Sequence, residues 1–216
     1  MNFEQARFNM VEQQIRPWDV LDFDVLDALA EVPRERFVGE AQQAYAYADI
    51  TLPLPNGGSM LEPKIVARLI QGLALKAGER VLEVGTGSGY ATALLHKLGG
   101  SVTTVDIDAA QQQRAQSVLN ELGFDNVVYQ TGDGLAGVSE SAPFDAIYIG
   151  GAVPAVPEAL KNQLKNGGRM VVVAGSAPVQ RALLITRRGE GFTEHTLFDT
   201  YIPYLNAPAA AGKFQF

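Results

Sequence analysis

The chain has 216 residues, enough to bury one good core and few for two. Hydrophobic residues make up 47%, which excludes a disordered chain, and no apolar run approaches the roughly twenty residues of a membrane span. With no cysteine there is no disulfide, thiolate nucleophile or Cys-based metal site, and a formal charge of −7 disfavours nucleic acid, whose binding relies on Lys and Arg neutralising phosphates. The N-terminus, Met1-Asn2-Phe3-Glu4-Gln5, carries neither a basic segment nor an apolar one. A cytoplasmic enzyme with a small or peptidic substrate is therefore expected, with no membrane association and no metal.

Residues 1–75 read as helices plus a loop. Phe8, Val11 and Ile15 fall at helical spacing, as do Val25, Ala28, Leu29 and Val32, and later Val66, Leu69, Ile70 and Leu73. Residues 44–62 are irregular and rich in Pro, Gly and aromatics. A long loop in a compact domain is usually functional, and this one is expected to cover the ligand at the carboxyl edge of a sheet.

Arg80 to Val84 is a short apolar strand running into Gly85-Thr86-Gly87-Ser88-Gly89-Tyr90. Glycine at alternate positions lets backbone approach a ligand closely and reach positive φ. A second apolar run, Ser101 to Val105, ends about twenty residues on in Asp106, where a carboxylate can accept both hydroxyls of a ribose. The dinucleotide fingerprint places a glycine or alanine where this chain has Tyr90, whose bulk argues against a pyrophosphate. The spacing acid-x-Gly-x-Gly-x-Gly, led by Glu83, is instead the pattern used for S-adenosylmethionine (AdoMet), a sulfonium cation with no phosphate to cradle. Gly85, Thr86, Gly87, Ser88 and Gly89 are expected at the cofactor, with Glu83 ordering their loop through its backbone amides. Asp106 is expected at the ribose, Ile107 against the adenine, and Asp133 and Gly134 near the adenine amino group.

Strands and helices alternate beyond this point. Ala91, Leu94, Leu95 and Leu98 mark one helix. Asp108 and Gln111 form an N-cap and N3 pair for the next, which carries Ala115, Val118, Leu119 and Leu122 and stops at Gly123. Asn126 to Tyr129 is a strand, followed by Gly132-Asp133-Gly134; Phe144 to Ile149 is another, ending at Gly150-Gly151. Pro157 and Gly167 frame a further helix, and Arg169 to Val173 is the fifth strand. Ala182 to Thr186 and Thr196 to Tyr204, separated by Arg187 to Gly191, read as an antiparallel hairpin. The pattern predicts an α/β fold: a Rossmann-like AdoMet-dependent methyltransferase with a mostly parallel sheet flanked by helices and antiparallel C-terminal strands. One domain spans 1–216, made of an N-terminal helical extension over the site (1–75), the AdoMet-binding core (76–205) and a tail (206–216).

Several runs point to one family. Glu31-Val32-Pro33-Arg34-Glu35-Arg36-Phe37-Val38, Ala46-Tyr47-Ala48-Asp49 and Leu52-Pro53-Leu54 resemble the N-terminal part of protein-L-isoaspartate O-methyltransferases. So do the glycine loop, Gly132-Asp133-Gly134, Ala142 to Ile147, and Gly167-Gly168-Arg169 with its valine strand. The resemblance covers nearly the whole chain in order, short of the last ten or so residues. It implies methyl transfer from AdoMet to the free carboxylate of an L-isoaspartyl residue in a damaged protein or peptide, by a monomer or homodimer. An α-carboxyl with a pKa of about 3.5 is already ionised at neutral pH, so no general base is required. His96 and His195 then need no catalytic role. Arg34 and Glu35 are expected to fix the N-terminal helices, and Asp145 and Trp18 to be structural.

The acceptor side departs from the family. Its loop reads Gly-Gln-Thr-Ile-Ser-Gln-Pro, with the serine credited as catalytic; here it is Gly57-Gly58-Ser59-Met60-Leu61-Glu62-Pro63, which puts Leu61 at that serine's position. Ser59, where the family has threonine, is the candidate catalytic replacement. Gly150-Gly151 replaces a Thr-Ala pair, Val138 a tryptophan, and Thr200 an arginine that could face an anionic substrate. Three readings stay open: an isoaspartyl methyltransferase, a methyltransferase of the same fold with a less anionic acceptor, and a non-catalytic AdoMet-binding protein. Hydrogen-bond donors around the methyl favour the first, an apolar open pocket the second, and a pocket plugged by Met60 or Leu61 the third.

Overall fold

The computed structural model describes residues 2–205. Helix α1 (Phe3–Asn9) is capped by Asn2, whose side chain accepts from the Gln5 amide. It continues into a π-helical segment, Met10–Ile15, and a 3-10 turn, Arg16–Trp18. The wider winding rotates the buried face, so Met10, Val11 and Ile15 enter the core while Phe8 stays exposed. The regular period drawn through Phe8 fails for that reason. Helix α2 (Phe23–Glu31) starts on Asp22, which accepts from the Asp24 and Val25 amides. Helix α3 (Pro63–Leu73) opens on a proline and buries Val66, Leu69, Ile70 and Leu73, as their spacing predicts. Between α2 and α3 the only extended pairing is a small ribbon, β1 (Leu52–Pro53) against β2 (Ser59–Met60).

The remaining strands are β3 (Glu79–Val84), β4 (Gly100–Asp106), β5 (Val127–Thr131), β6 (Phe144–Val153), β7 (Leu164–Ser176), β8 (Val179–Arg188) and β9 (Gly191–Thr200). They form one sheet in the order β5-β4-β3-β6-β7-β8-β9. The first five are parallel, and β8 and β9 are added as antiparallel hairpins. Helices α4 (Tyr90–Leu98), α5 (Ala109–Glu121) and α6 (Glu158–Lys161) connect them. Alternate residues face opposite layers: Val81, Tyr148 and Val171 pack with α1–α4, and Leu82, Ile147 and Met170 pack on the other side with Leu160. Strand order reverses at β3, between β4 and β6, which opens a crevice at the carboxyl ends of these strands.

Two C-terminal expectations change. The helix framed by Pro157 and Gly167 is only α6, because β7 begins at Leu164 and absorbs Asn166-Gly167-Gly168 as an irregularity in its pairing with β6. The last strand starts at Gly191 and ends at Thr200, since its hairpin needs only Gly189 and Glu190 as a turn; Tyr204 keeps a single bridge to Ala152. The tail expected at 206–216 lies outside the described residues. Among the described residues no helix is long and apolar enough to cross a membrane.

Candidate active site

A cavity of about 500 Å³ occupies the crevice, within the roughly 300–1,000 Å³ typical of cofactor sites. Its floor is the ends of β3 to β6, from Gly85, Asp106, Gly134 and Gly150. The loop from Leu54 to Leu61 forms one wall, and Pro203 to Leu205 closes another. The loop reaches the carboxyl edge of the sheet, as its composition suggested.

The glycine turn is shaped for close approach. Gly85 has φ +91° and Gly87 φ +51°. A Cβ on Gly85 would lie 2.4 Å from Leu205 Cδ1, so a larger residue would have to displace that side chain as well as adopt a left-handed backbone. The Gly87 amide donates to Asp106 Oδ2 at 2.9 Å, and the Asp108 amide to Oδ1 at 2.9 Å. Each carboxylate oxygen keeps a further lone pair toward the cavity. Asp108 caps α5 through the Ala110 and Gln111 amides, but the reciprocal half of a capping box is missing. Gln111 instead donates its side-chain amide to the Gly87 carbonyl at 2.9 Å, so α5 helps hold the turn. That role was invisible in the cap pattern.

On the adenine side, Ile107 is exposed at the cavity edge and Asp133 lies on its rim. Asp133 Oδ1 also accepts from the Leu135 amide, capping a short turn, which leaves its second oxygen uncommitted. A Cβ on Gly134 would meet Val84 Cγ1 at 2.7 Å, so the glycine is set by packing beneath the cavity.

Four expected cofactor residues do not line the cavity. Glu83 is fully buried in β3, and its Oε2 accepts from the Thr92 and Thr104 hydroxyls at 2.5 and 2.7 Å, not from loop amides. Burial pushes its carboxyl up to about 8, against those two hydroxyls, and leaves Oε1 without a partner. Thr86 points down to Thr104 (2.7 Å) and Gln112 (3.1 Å). Ser88 caps Tyr90 weakly and faces a separate surface groove. Gly89 allows α4 to pack on α5, since its Cβ would stand 3.1 Å from that of Ala115. Tyr90 also turns away, into the core beside Phe37 and Arg34, so its bulk excludes nothing from the site. Among the described residues the lining carries Asp106 and Asp133 and no Lys, Arg or His. That charge suits a sulfonium cation.

On the acceptor side, Ser59 lines the cavity and makes no side-chain hydrogen bond among the described residues. Leu61 also faces it, while Met60 turns to the neighbouring groove, so neither plugs the space. Asn56, Gly57 and Gly58 line it too, and were not singled out from the sequence. Arg34 does not fix the N-terminal helices. Wholly buried, it donates to the Ala46 carbonyl at 2.7 Å and the Leu61 carbonyl at 2.8 Å, fastening both ends of the loop. Desolvation holds its guanidinium below the ordinary arginine value, and its Nη1 lacks a partner. Thr200 sits on β9 paired with Gln180, away from the cavity. His96 bonds the Asp125 carbonyl and His195 lies exposed on β9, both outside the cavity as well. Asp145 accepts from Arg80 and Lys165, and Trp18 packs under the Lys64 ammonium, 4.4 Å from the ring centroid.

A glycine turn at the head of a parallel sheet, an acid at the end of the next strand and an uncharged-to-acidic cavity define an AdoMet-dependent methyltransferase of Rossmann-like fold. The sequence profile of the protein-L-isoaspartate(D-aspartate) O-methyltransferase family matches residues 6–206. The chain is 43% identical to the protein-L-isoaspartate O-methyltransferase of Brucella anthropi over 198 residues, covering 91% of each. It is 44% identical to that of Methylorubrum populi over 211 residues, covering 97% of this chain and 99% of the relative. A solved protein-L-isoaspartate O-methyltransferase superposes with a TM-score of 0.80 at 28% identity, over 93% of this chain and 65% of the other. A Plasmodium falciparum structure in complex with S-adenosyl-L-homocysteine shares the fold, with a TM-score of 0.78 at 22% identity over 96% of this chain and 100% of that one. The chain belongs to the protein-L-isoaspartate O-methyltransferase family, and AdoMet is that family's methyl donor.

Proposed function

We propose that this chain methylates the free α-carboxylate of L-isoaspartyl residues in damaged proteins and peptides. It does so as a cytoplasmic enzyme, monomeric or homodimeric, with residues 1–75 and 76–205 acting as one unit. The observation that carries the reading is the match of the family profile over residues 6–206, in a chain where Asp106 and Ser59 line one cavity. When bound, AdoMet supplies a methyl group on a sulfonium that a carboxylate oxygen can attack.

The chain's own residues position the partners. Asp106 accepts from the ribose hydroxyls with the lone pairs left by Gly87 and Asp108. Ile107 lies against the adenine, and Asp133 takes its amino group. Gly85 and Gly87 admit the methionine portion. Glu83, Thr86, Ser88 and Gly89 act beneath the turn, not at the ligand. Ser59 is the side-chain donor for the acceptor carboxylate. Leu61 and Leu205 keep water from the reacting atoms, and holding an ionised oxygen in line with the methyl then supplies much of the rate.

That the described lining residues include no cationic side chain favours a second reading, a less anionic acceptor on the same fold. Labelled methyl transfer to an isoaspartyl peptide and to its aspartyl twin separates the two. Turnover of the isoaspartyl peptide alone supports the proposal; AdoMet binding with turnover of neither peptide supports the second reading.

A further inference from the structure

We propose that the groove behind the loop wall is a docking subsite for the substrate protein, taking an apolar residue followed by an acidic one a few positions from the isoaspartyl residue. The proposal deepens the acceptor reading above and rests on it.

The groove has a volume of about 450 Å³ and lies across the β1–β2 ribbon from the cofactor cavity. Alternation along the ribbon sets the two spaces back to back. Ser59 and Leu61 face the cavity, while Met60 and its ladder partner Leu52 face the groove. Leu54 borders both, where the ribbon enters its turn. On the far side α5 supplies Ala115 and Val118.

An acceptor residue seated beside Ser59 belongs to a longer chain, and that chain must leave the cavity over one of its walls. The Pro203–Leu205 wall is pinned to Ala152 by two backbone hydrogen bonds of 2.9 Å. The opposite wall ends in a turn whose Pro55, Asn56 and Gly57 are exposed, and beyond it lies the groove. Strands about 4.8 Å apart with side chains on both faces make a crossing on the order of 10 Å, about three residues of extended chain. One arm of the substrate then descends into the groove.

The chemistry of the groove selects the segment. Its walls are mostly apolar, and the charged side chains among its described lining residues are both arginines, Arg36 and Arg114. Arg36 is paired with Glu121 at 2.7 Å, an exposed contact that screens it only in part. Arg114 donates to Gln111 Oε1 at 3.2 Å and has no carboxylate within ion-pair distance among the described residues. Asp108 feels its charge without reaching it. A leucine-sized side chain between Met60 and Val118, with a carboxylate next to it at Arg114, satisfies both features. The chain carries a formal charge of −7, so an acidic segment is repelled over most of the surface, and a preference for one reports these arginines.

The test compares isoaspartyl peptides of equal length that carry Leu-Glu, Leu-Lys or Gly-Glu about three residues from the acceptor, in separate sets on either side of it. On the wild-type chain, Leu-Glu on one side should give a kcat/KM about tenfold above Gly-Glu and about threefold above Leu-Lys, with the difference carried by KM. Salt at about 0.5 M should erase the charge preference and keep the apolar one. Arg114→Glu should invert the order of Leu-Glu and Leu-Lys, and Val118→Asp should remove the advantage of leucine. Each readout is a ratio of two peptides on one enzyme, so a general loss of stability or cofactor affinity cancels. Methylation of all peptides with equal kcat/KM would overturn the proposal, as would preferences that neither variant moves. If no peptide is methylated, the acceptor reading falls, and fluorescence anisotropy of the same peptides decides the groove. Tighter binding of Leu-Glu that Arg114→Glu reverses would keep it, and equal or absent binding would overturn it.

Discussion

Replacing Asp106 with Asn perturbs the cofactor site with little change of volume. The carboxylate accepts the Gly87 amide on one oxygen and the Asp108 amide on the other, and the residue is 9% exposed. An asparagine can accept only one of those amides; its NH₂ would face the other donor. A hydrogen bond to a charged group is worth about 1.5–3 kcal/mol, so losing one loop bond and one ribose contact removes about 3 kcal/mol from AdoMet binding. At 1.4 kcal/mol per decade, Kd should rise roughly hundredfold. Calorimetry reads this directly. Thermal denaturation gives an independent check, because a ligand bound only to the folded chain raises Tm according to its concentration over Kd. At AdoMet concentrations between the two dissociation constants, wild type should shift and the variant should not. An affinity loss below about threefold would mean that Asp106 orders the turn without touching the cofactor, refuting the assigned role.

The remaining predictions concern the layers around the site. Because burial raises the Glu83 carboxyl to about 8, the folded chain holds a proton there that the unfolded chain releases from about pH 4.5 upward. Its contribution to stability should therefore fall as pH rises from about 5 to 8, by at most about 1.4 kcal/mol per unit. Glu83→Gln, which mimics the protonated form, should flatten that segment of the stability–pH curve; an unchanged slope would contradict it. Leu61→Ser restores the family's donor and should raise kcat/KM on an isoaspartyl peptide about tenfold, while costing about 2–4 kcal/mol of stability through lost burial. Arg34→Lys cannot reach both the Ala46 and Leu61 carbonyls, and should cost about 1–3 kcal/mol in urea unfolding and raise KM for the peptide more than it weakens AdoMet binding.

Much of the fold was legible because its signals are local and periodic. Val66, Leu69, Ile70 and Leu73 share a face at helical spacing, and the apolar runs ending at Val84 and Asp106 became neighbouring parallel strands. Phe8 misled because a π-helical segment resets the face beyond it, and nothing in the pattern marks such a change. The stretch after Pro157 misled because Asn166-Gly167-Gly168 reads as a helix stop but serves as a strand irregularity. At the site, residues at the ends of strands were legible, since a strand end points at the crevice whatever surrounds it: Asp106, Ile107 and Asp133 all line the cavity. Within the glycine turn the side-chain directions depend on backbone angles that the motif does not encode. Thus Thr86 and Tyr90 turn toward the protein, Ser88 faces a separate groove, and Gly89 serves the packing of α4 on α5. Arg34, Gln111 and Leu205 act across long separations in the chain, and no local pattern reports that.

The most direct test of the account is a crystal structure with S-adenosyl-L-homocysteine and an isoaspartyl peptide bound. The account predicts both ribose hydroxyls on Asp106, the adenine between Ile107 and Asp133, and the peptide's free carboxylate within hydrogen-bond reach of Ser59, facing the sulfur across a dry gap. A ribose held elsewhere, or a carboxylate bound outside the wall formed by Leu54 to Leu61, would contradict it.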